Sequence, residues 1–416
     1  MKPLRILYIG PIPPEVGGIA SGGIAIHCWD LALQARKKGY DVYILGNSSV
    51  SGEMNGIHVM ENNVNNLFGV LKAIKVLRYW RKYKYIFSII HLFKPKELLS
   101  LFYIGVSLDD FAKTIRPNVI HIHSLLECSI YSGLFVDNLA PIVVTDHGIG
   151  VVCNNNFDES VWSITWARLT ERISRAVNLV QYIIVVSEFA KESLLSTFSI
   201  NDKTMVSAIL NPIDSEKWPM LEREKLKKEL DLTGKKTLIF SGVHLPFEKK
   251  GLDILMEAVA YDEWLCANCN LVIITTENAG KVAREYIRSK GITGVVIPPQ
   301  PQAELPKYYN AGDVFVMPSR LEGIGLVYSE ALISGTPVVG FYKSVQELER
   351  ELGIYIGEGF NAATDGPKEL AEKIKKVLSM DVDRQALRTA ISEKLSWDVK
   401  FRDYDCIYRE LVAKSK

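Results

Sequence analysis

The 416-residue sequence predicts two Rossmann-like, doubly wound α/β domains that face a cleft. The chain is too long for one ordinary core, and two domains of about 200 residues are expected. Short apolar, β-branched runs alternate with helical patterns in both halves, as in doubly wound sheets. A charged helix pattern and a fresh first strand follow "AILNPIDSEKWP" (208–219), which indicates a boundary near residue 210.

The predicted strands are uninterrupted apolar runs with no polar alternation. Such runs are typical of parallel strands that are buried on both faces. They are residues 4–10, 41–46, 118–124, 141–148 and 182–187 in the first half, and 237–242, 270–275, 294–299, 314–319 and 336–341 in the second.

The first helix is predicted over residues 24–38. One apolar stripe is expected to face the core, and Gly39 is a favourable residue for ending the helix. The stripe consists of Ile24, Cys28, Leu31, Ala32 and Ala35. A second long helix pattern, rich in aromatic residues, covers the C-terminal residues from 395 to 414.

Composition narrows the possible functions. The sequence is 48% apolar and 23% charged with a formal net charge of +1, which gives no support for nucleic-acid binding. The six scattered cysteines are expected to be reduced thiols of a cytoplasmic protein. No signal-type segment and no apolar run of 18 residues is present, so no membrane span is predicted.

Two glutamates, Glu322 and Glu330, stand eight positions apart in "VFVMPSRLEGIGLVYSEALISGTPVV" (314–339). On one continuous helix their side chains would point about 80° apart. Gly323 and Gly325 lie between them and favour a tight turn between a strand and a helix. The loop would break the helical phase, so both acids could face one ligand from different depths.

The start of the predicted helix can bind an anion. The backbone N–H groups of Gly325, Leu326 and Val327 would contact a phosphate there. Carboxylates on either side would accept hydrogen bonds from hydroxyls, and a nucleotide sugar carries hydroxyls on both sides of its phosphates. The alternative is a structural turn, with one acid favouring the helix start and the other on the solvent face.

The segment "EGIGLVYSE" resembles the E-x7-E segment of the family-4 retaining glycosyltransferases, whose fold is termed GT-B. Similarity extends over most of the chain and is weaker between residues 50 and 115. The resemblance implies a retaining, metal-independent hexosyltransferase that needs no other cofactor. It would move a sugar from a UDP- or GDP-sugar to a hydroxyl of a glycan or lipid-linked acceptor, in cell-surface polysaccharide or glycolipid synthesis.

The resemblance also assigns domains. Residues 1–210, joined by the C-terminal helix 397–416, would form the acceptor-side domain. Residues 211–396 would form the nucleotide-sugar-binding domain.

Three residues would have catalytic roles by this resemblance. Glu322 would hold the sugar hydroxyls, His147 would contact the donor sugar, and Lys250 would bind phosphate. Outside the family pattern, His147 would be a packed or capping histidine, and Lys250 a surface lysine. The residues expected to bind the nucleotide sugar are Gly22, Gly23, Lys249, Gly323, Ile324, Gly325, Leu326, Val327, Glu330, Pro299 and Gln300.

One departure from the family pattern concerns the phosphate site. Val243 stands where related sequences carry a phosphate-binding arginine. Lys249 and His244 are the two candidates for the missing cation. The Asp381–Asp383 D-x-D follows no predicted strand, so a surface position is expected and no metal is predicted.

Residues 71–96 combine eight lysines and arginines with interleaved aromatic residues. This composition favours peripheral binding to the anionic inner face of a membrane. A solvated helix face over the core is the alternative. Two other functions share the predicted architecture: a nucleotide-sugar epimerase, and a non-catalytic binding protein of two lobes.

Overall fold

The structure is a computed structural model that describes residues 3–18, 22–46, 51–60, 74, 95–131, 139–148, 170–242 and 247–415. Two compact units are present, one of residues 1–210 with 400–416 and one of residues 211–399. Each unit contains one sheet with helices. The predicted fold class of two doubly wound α/β domains is confirmed.

The first unit contains an eight-stranded sheet of order β3-β4-β2-β1-β5-β6-β7-β8. Among the described strands, β3 and β4 pair antiparallel and the remaining pairs are parallel. The strands are β1 (Arg5–Ile9), β2 (Asp41–Leu45), β3 (Gly52–Met54), β4 (Ile57–Met60), β5 (Val119–His123), β6 (Ile142–Asp146), β7 (Tyr182–Val185) and β8 (Met205–Ala208).

The helices of the first unit connect these strands. They are α1 (Gly23–Lys37), α2 (Pro95–Ile115), α3 (Leu125–Tyr131) and α4 (Glu188–Thr197), with a short 3-10 turn at Pro14–Val16 and helical residues 170–176. Gly39 follows α1 with φ +86°, as its predicted stop role requires. The expected apolar stripe is wrong at Ile24, whose side chain is 41% exposed although the next residue of the same turn, Ala25, is buried.

The second unit contains a parallel six-stranded sheet of order β11-β10-β9-β12-β13-β14. Every residue of β10, β12 and β13 is buried, which explains their unbroken apolar sequences. The strands are β9 (Lys236–Gly242), β10 (Cys269–Thr275), β11 (Gly294–Ile297), β12 (Val314–Met317), β13 (Val338–Phe341) and β14 (Gly357–Phe360).

Helices precede, separate and follow the strands of this second sheet in the chain. They are α5 (Arg223–Glu229), α6 (Leu252–Tyr261), α7 (Glu263–Asn268), α8 (Glu277–Ser289), α9 (Leu305–Ala311), α10 (Leu326–Ile333), α11 (Tyr342–Leu352), α12 (Pro367–Ser379), α13 (Arg384–Leu395) and α14 (Trp397–Lys414), with 3-10 turns at Ser215–Lys217 and Phe247–Lys250. Exposed Asp383 caps α13 by accepting from Ala386 N at 2.9 Å, so this aspartate has the surface position expected for the D-x-D.

The last helix, α14, begins in the second unit and continues in the first. Within the first unit its Tyr408 hydroxyl lies 2.6 Å from His121 Nδ1 and 3.3 Å from the hydroxyl of Tyr8. His121 is in β5 and Tyr8 is in β1, so α14 is bound to the centre of the first sheet. Among the described residues, no helix is long and apolar enough to span a membrane.

Candidate functional site

Glu322 lies in the loop between β12 and α10, and its side chain is only 8% exposed. Ser319 donates a hydrogen bond from Oγ to Glu322 Oε1 at 2.9 Å. Lys250 Nζ forms an ion pair with the same carboxylate oxygen. The predicted catalytic pair, Glu322 and Lys250, is therefore brought together by the fold of the second unit.

Gly251 determines how closely the Lys250 turn approaches this loop. Its φ is +76°, and a Cβ at this position would lie 2.2 Å from the carbonyl oxygen of Pro318. Arg320 N donates to Lys249 O at 3.0 Å, which joins the two segments through their backbones. Only glycine fits this contact, since it supplies both the left-handed backbone and the missing side chain.

A charged hydrogen-bond pair holds the same two segments together. The Arg320 guanidinium binds the Asp253 carboxylate through two hydrogen bonds, of 2.9 and 2.6 Å. Bidentate pairs of this kind fix orientation as well as distance. The segments that carry Lys250 and Glu322 are thus joined by a backbone hydrogen bond and by a bidentate ion pair.

The start of α10 has the geometry expected of an anion site. Gly325 precedes the helix with φ +76°, and a Cβ there would meet the Tyr328 ring at 2.9 Å. The Tyr328 hydroxyl donates to Met317 O at 2.8 Å and accepts from Phe341 N at 2.9 Å. This tyrosine fixes the helix start between β12 and β13. The first N–H groups of a helix have no acceptor on the preceding turn, which is why helix starts can bind anions.

Glu330 has a different environment from Glu322. It is the fifth residue of α10, and the Tyr309 hydroxyl donates to its Oε2 at 3.2 Å. Desolvation raises the pKa of the Glu330 carboxyl to about 7, and the Tyr309 hydrogen bond offsets only part of this effect. Near neutral pH, Glu330 can therefore donate or accept a hydrogen bond.

The remaining predicted residues of the second unit lie near these segments or at the sheet edge. Lys249 is partly buried, and desolvation with the neighbouring Lys250 lowers its pKa. Pro299 and Gln300 follow β11 at the edge of the sheet, where Gln300 Nε2 donates to Pro298 O at 2.8 Å. Val243 and His244 lie outside the described residues.

In the first unit, His147 directly follows β6, as predicted. Two histidines not selected from the sequence lie beside it, His123 at the end of β5 and His27 in α1. His123 Nδ1 is 3.4 Å from His147 Nε2, and the rings of His27 and His147 are 5.0 Å apart. The sequence carried part of this signal, because "HIHS" and "TDHG" end two predicted strands, but only the sheet order shows that the two strands are adjacent.

Burial keeps these imidazoles neutral. Desolvation lowers the pKa of His147 to about 4 and that of the neighbouring His121 to about 3. It also lowers the pKa values of His27 and His123 well below the usual value, with a smaller effect from the adjacent histidines.

Gly22, with φ +117°, and Gly23 form the start of α1 on the same unit.

Two family sequence models match most of the chain. Residues 21–217 match Glycosyltransferase Family 4, and residues 235–380 match Glycosyl transferases group 1. The chain belongs to the glycosyltransferase family that these models describe. In this glycosyltransferase, the second model matches all of β12, the Glu322 loop and α10.

Curated relatives of the glycosyltransferase include two bacterial glycogen synthases. The one from Kosmotoga olearia is 25% identical over 362 residues, which cover 74% of each chain. The one from Desulfitobacterium hafniense is 28% identical over 204 residues, covering 46% of this chain and 43% of the relative. The match thus spans less than half the length of the second relative.

Solved structures of the same fold cover nearly all of the glycosyltransferase. Sucrose-phosphate synthase from Thermosynechococcus elongatus has a TM-score of 0.76 at 16% identity, covering 99% of this chain and 100% of that one. Anabaena Alr3699/HepE in complex with UDP-glucose has a TM-score of 0.69 at 16% identity, and the match covers 98% of this chain and 100% of the Anabaena chain. The catalytic domain of Starch Synthase IV from Arabidopsis thaliana, bound to ADP and acarbose, has a TM-score of 0.71 at 16% identity. The match covers 99% of this chain and 100% of the Arabidopsis chain.

The raised pKa of Glu330 predicts that the stability difference between wild type and the Glu330→Gln variant depends on pH. The unfolded carboxyl ionises near its usual 4.5 and the folded one near 7, so wild-type stability falls as pH rises between these values. Glu330→Gln removes this effect. Relative to wild type, we expect the variant's free energy of unfolding to be about 2 kcal/mol higher at pH 8 than at pH 5, so the variant is relatively more stable at pH 8.

Thermal melts at the two pH values measure this difference. Glu285→Gln, at an exposed position in α8, is the matched control and should show no such change. A Glu330→Gln difference that is the same at both pH values would contradict the assigned environment of the carboxyl.

Proposed function

We propose that the glycosyltransferase moves a sugar from a UDP- or GDP-sugar to a hydroxyl of a glycan or lipid-linked acceptor, with retention at the anomeric carbon. We assign it to polysaccharide or glycolipid synthesis. The observation that carries the proposal is the Lys250–Glu322 ion pair, held beside the start of α10 by Gly251 and Ser319.

The diphosphate of the donor would lie at the start of α10. The backbone N–H groups of Gly325, Leu326 and Val327 would face its oxygens, with Gly323 and Ile324 lining the turn. Lys250 and Lys249 supply the cations on the adjacent turn. UDP-glucose and ADP occur in complexes of two proteins with the same fold, which supports a nucleotide-linked donor.

The Lys250–Glu322 pair suggests how the donor is recognised. Without a donor, the lysine and the carboxylate compensate each other's charge in a largely buried position. A bound diphosphate would attract Lys250, and Glu322 would then accept hydrogen bonds from sugar hydroxyls. A donor that lacks either the phosphate or the hydroxyls would leave one of the two groups poorly paired.

Transfer would proceed on one face of the sugar. The bond from the anomeric carbon to the leaving phosphate oxygen breaks as the acceptor oxygen bonds to the same carbon. The acceptor proton passes to the leaving diphosphate. Fixed N–H groups and lysines would stabilise the charge that develops on that diphosphate, so no metal is required for the transfer step.

The nucleoside would lie farther along the second unit. Glu330 would hold the ribose hydroxyls, and its carboxyl can both donate and accept because its pKa is raised to about 7. The base would lie near Pro299 and Gln300. Backbone contacts there would leave little trace in the sequence.

For the first unit we propose the acceptor side of the reaction. His147 would contact the donor sugar, and the loop at Gly22 and Gly23 would contact the diphosphate. The basic and aromatic residues 71–96 lie outside the described residues apart from residue 74 and the backbone of 95–96. We propose that they hold a cytoplasmic enzyme on the inner face of a membrane.

Transfer assays with UDP-, GDP- and ADP-sugars test the proposed donor site. Glu322→Gln and Lys250→Met should each lower the transfer rate at least tenfold, equivalent to about 1.4 kcal/mol in the barrier. The first change removes a charged acceptor for sugar hydroxyls, and the second removes a phosphate-binding cation.

Lys281→Met, at an exposed position in α8, is the control and should retain the wild-type rate. Near wild-type transfer by both site variants would refute the assignment. Conversion of the donor into another sugar nucleotide without acceptor would instead support an epimerase.

Liposome co-sedimentation tests the membrane proposal. Wild-type protein should pellet with anionic liposomes at low salt, because each lysine or arginine near an anionic surface contributes about 1 kcal/mol. Replacing Lys72, Lys75, Arg78, Arg81 and Lys82 with serine should abolish pelleting. Wild-type protein that stays in the supernatant would overturn the idea.

A further inference from the structure

Three histidines of the first unit form a cluster with the nitrogen arrangement of a metal site. We define the histidine cluster as His27, His123 and His147, whose ligand nitrogens all lie within 4.8 Å of one another. We propose that the histidine cluster binds one Zn²⁺-like transition-metal ion. The transfer reaction proposed above does not require this ion, although His147 is a member of both proposed sites.

One pair of nitrogens already matches tetrahedral coordination. Zn–N bonds of about 2.0–2.1 Å place two ligand nitrogens about 3.3–3.4 Å apart on a tetrahedron. His123 Nδ1 and His147 Nε2 are separated by 3.4 Å. The third nitrogen, on His27, needs to approach by no more than about 1.5 Å, which side-chain rotation can supply.

The three side chains come from parts of the fold with fixed positions. β5 and β6 are adjacent parallel strands in which His123 pairs with Thr145, so His147 emerges just beyond its neighbour. His27 lies on α1, directly after the loop that follows β1 on the other side of β5. His123 and His27 lie on a strand and a helix, where side chains are held more precisely than on loops, and His147 is the first residue after a strand.

Neighbouring side chains orient the cluster. The Tyr404 hydroxyl lies 3.3 Å from His27 Nε2. His121 stacks on His123 with ring centroids 4.6 Å apart. Tyr408 and Thr145 hold His121 on opposite ring nitrogens, at 2.6 and 2.7 Å. Outer contacts of this kind fix ring orientation in metal sites, and removing them weakens metal binding.

The ligand set selects the class of ion. Imidazole nitrogens suit Zn²⁺, Co²⁺, Ni²⁺ and Cu²⁺, whereas Mg²⁺ and Mn²⁺ favour oxygen ligands. The proposed ion is therefore chemically distinct from the Mg²⁺-type ions that neutralise diphosphates. Three protein ligands would leave a fourth tetrahedral position open to water or another small ligand.

Metal titration of the full chain tests the proposal without any donor or acceptor. Chelator-treated protein is titrated with Co²⁺ and its visible absorption is followed, since tetrahedral Co²⁺ absorbs far more strongly than octahedral Co²⁺. We expect one equivalent to bind with a tetrahedral spectrum and Zn²⁺ to displace it. Zn²⁺ should also raise the melting temperature of the wild-type chain.

Variants locate the site. His27→Gln and His147→Gln should each weaken Co²⁺ binding at least tenfold, whereas His58→Gln should bind as wild type does. His58 is the matched control, because its half-exposed ring lies on β4 of the same unit. Melting temperatures measured without metal show whether each variant is folded. If His27→Gln does not fold, His147→Gln still tests the site, because His147 is partly exposed.

Two results would overturn the proposal. One is wild-type protein that binds no stoichiometric Co²⁺ and shows no shift of melting temperature with Zn²⁺. The other is a folded His27→Gln or His147→Gln variant that binds Co²⁺ as tightly as wild type.

Discussion

The close approach of Gly251 to the Pro318 carbonyl determines the geometry of the candidate donor site. No side chain fits between the two backbones, and the left-handed conformation at Gly251 turns the chain so that Lys250 meets Glu322. The Arg320–Asp253 pair and the Arg320–Lys249 backbone bond then hold the two segments in this arrangement. The ion pair therefore joins two segments that backbone and side-chain contacts already hold together.

Different surroundings give the two glutamates different chemistry. Glu322 is buried beside a lysine and a serine hydroxyl, a setting suited to a charged hydrogen-bond acceptor. The Glu330 carboxyl accepts a hydrogen bond from the Tyr309 hydroxyl, and desolvation raises its pKa to about 7. One protein segment thus carries a carboxylate that is ion-paired with Lys250 and a carboxyl whose pKa burial raises to about 7.

The sequence predicted those parts of the fold that depend on uninterrupted burial. Strands such as β10 and β12 are buried at every residue, so their apolar runs are unambiguous. Four strands were missed: β3, β4, β8 and β14. β3 and β4 form a short hairpin around Asn55–Gly56, β8 is half-buried, and two glycines weaken the pattern of β14.

The candidate site was predictable only in part. The turn between Glu322 and Glu330 follows from its glycines, and the helix start from the pattern after them. The sequence does not predict the direct pairing of Lys250 with Glu322, because the pairing depends on a contact between segments that are 72 residues apart in the chain. His27 and His123 were missed for the same reason, since only strand order brings them beside His147.

Hydrogen exchange of the backbone amides tests the central claim most directly, because it reports where a nucleoside diphosphate binds. If the start of α10 holds the diphosphate, UDP or GDP should slow exchange at residues 323–327 and leave exposed α8 unchanged. Protection confined to other segments, with exchange at residues 323–327 unaltered under saturating nucleotide, would contradict the account.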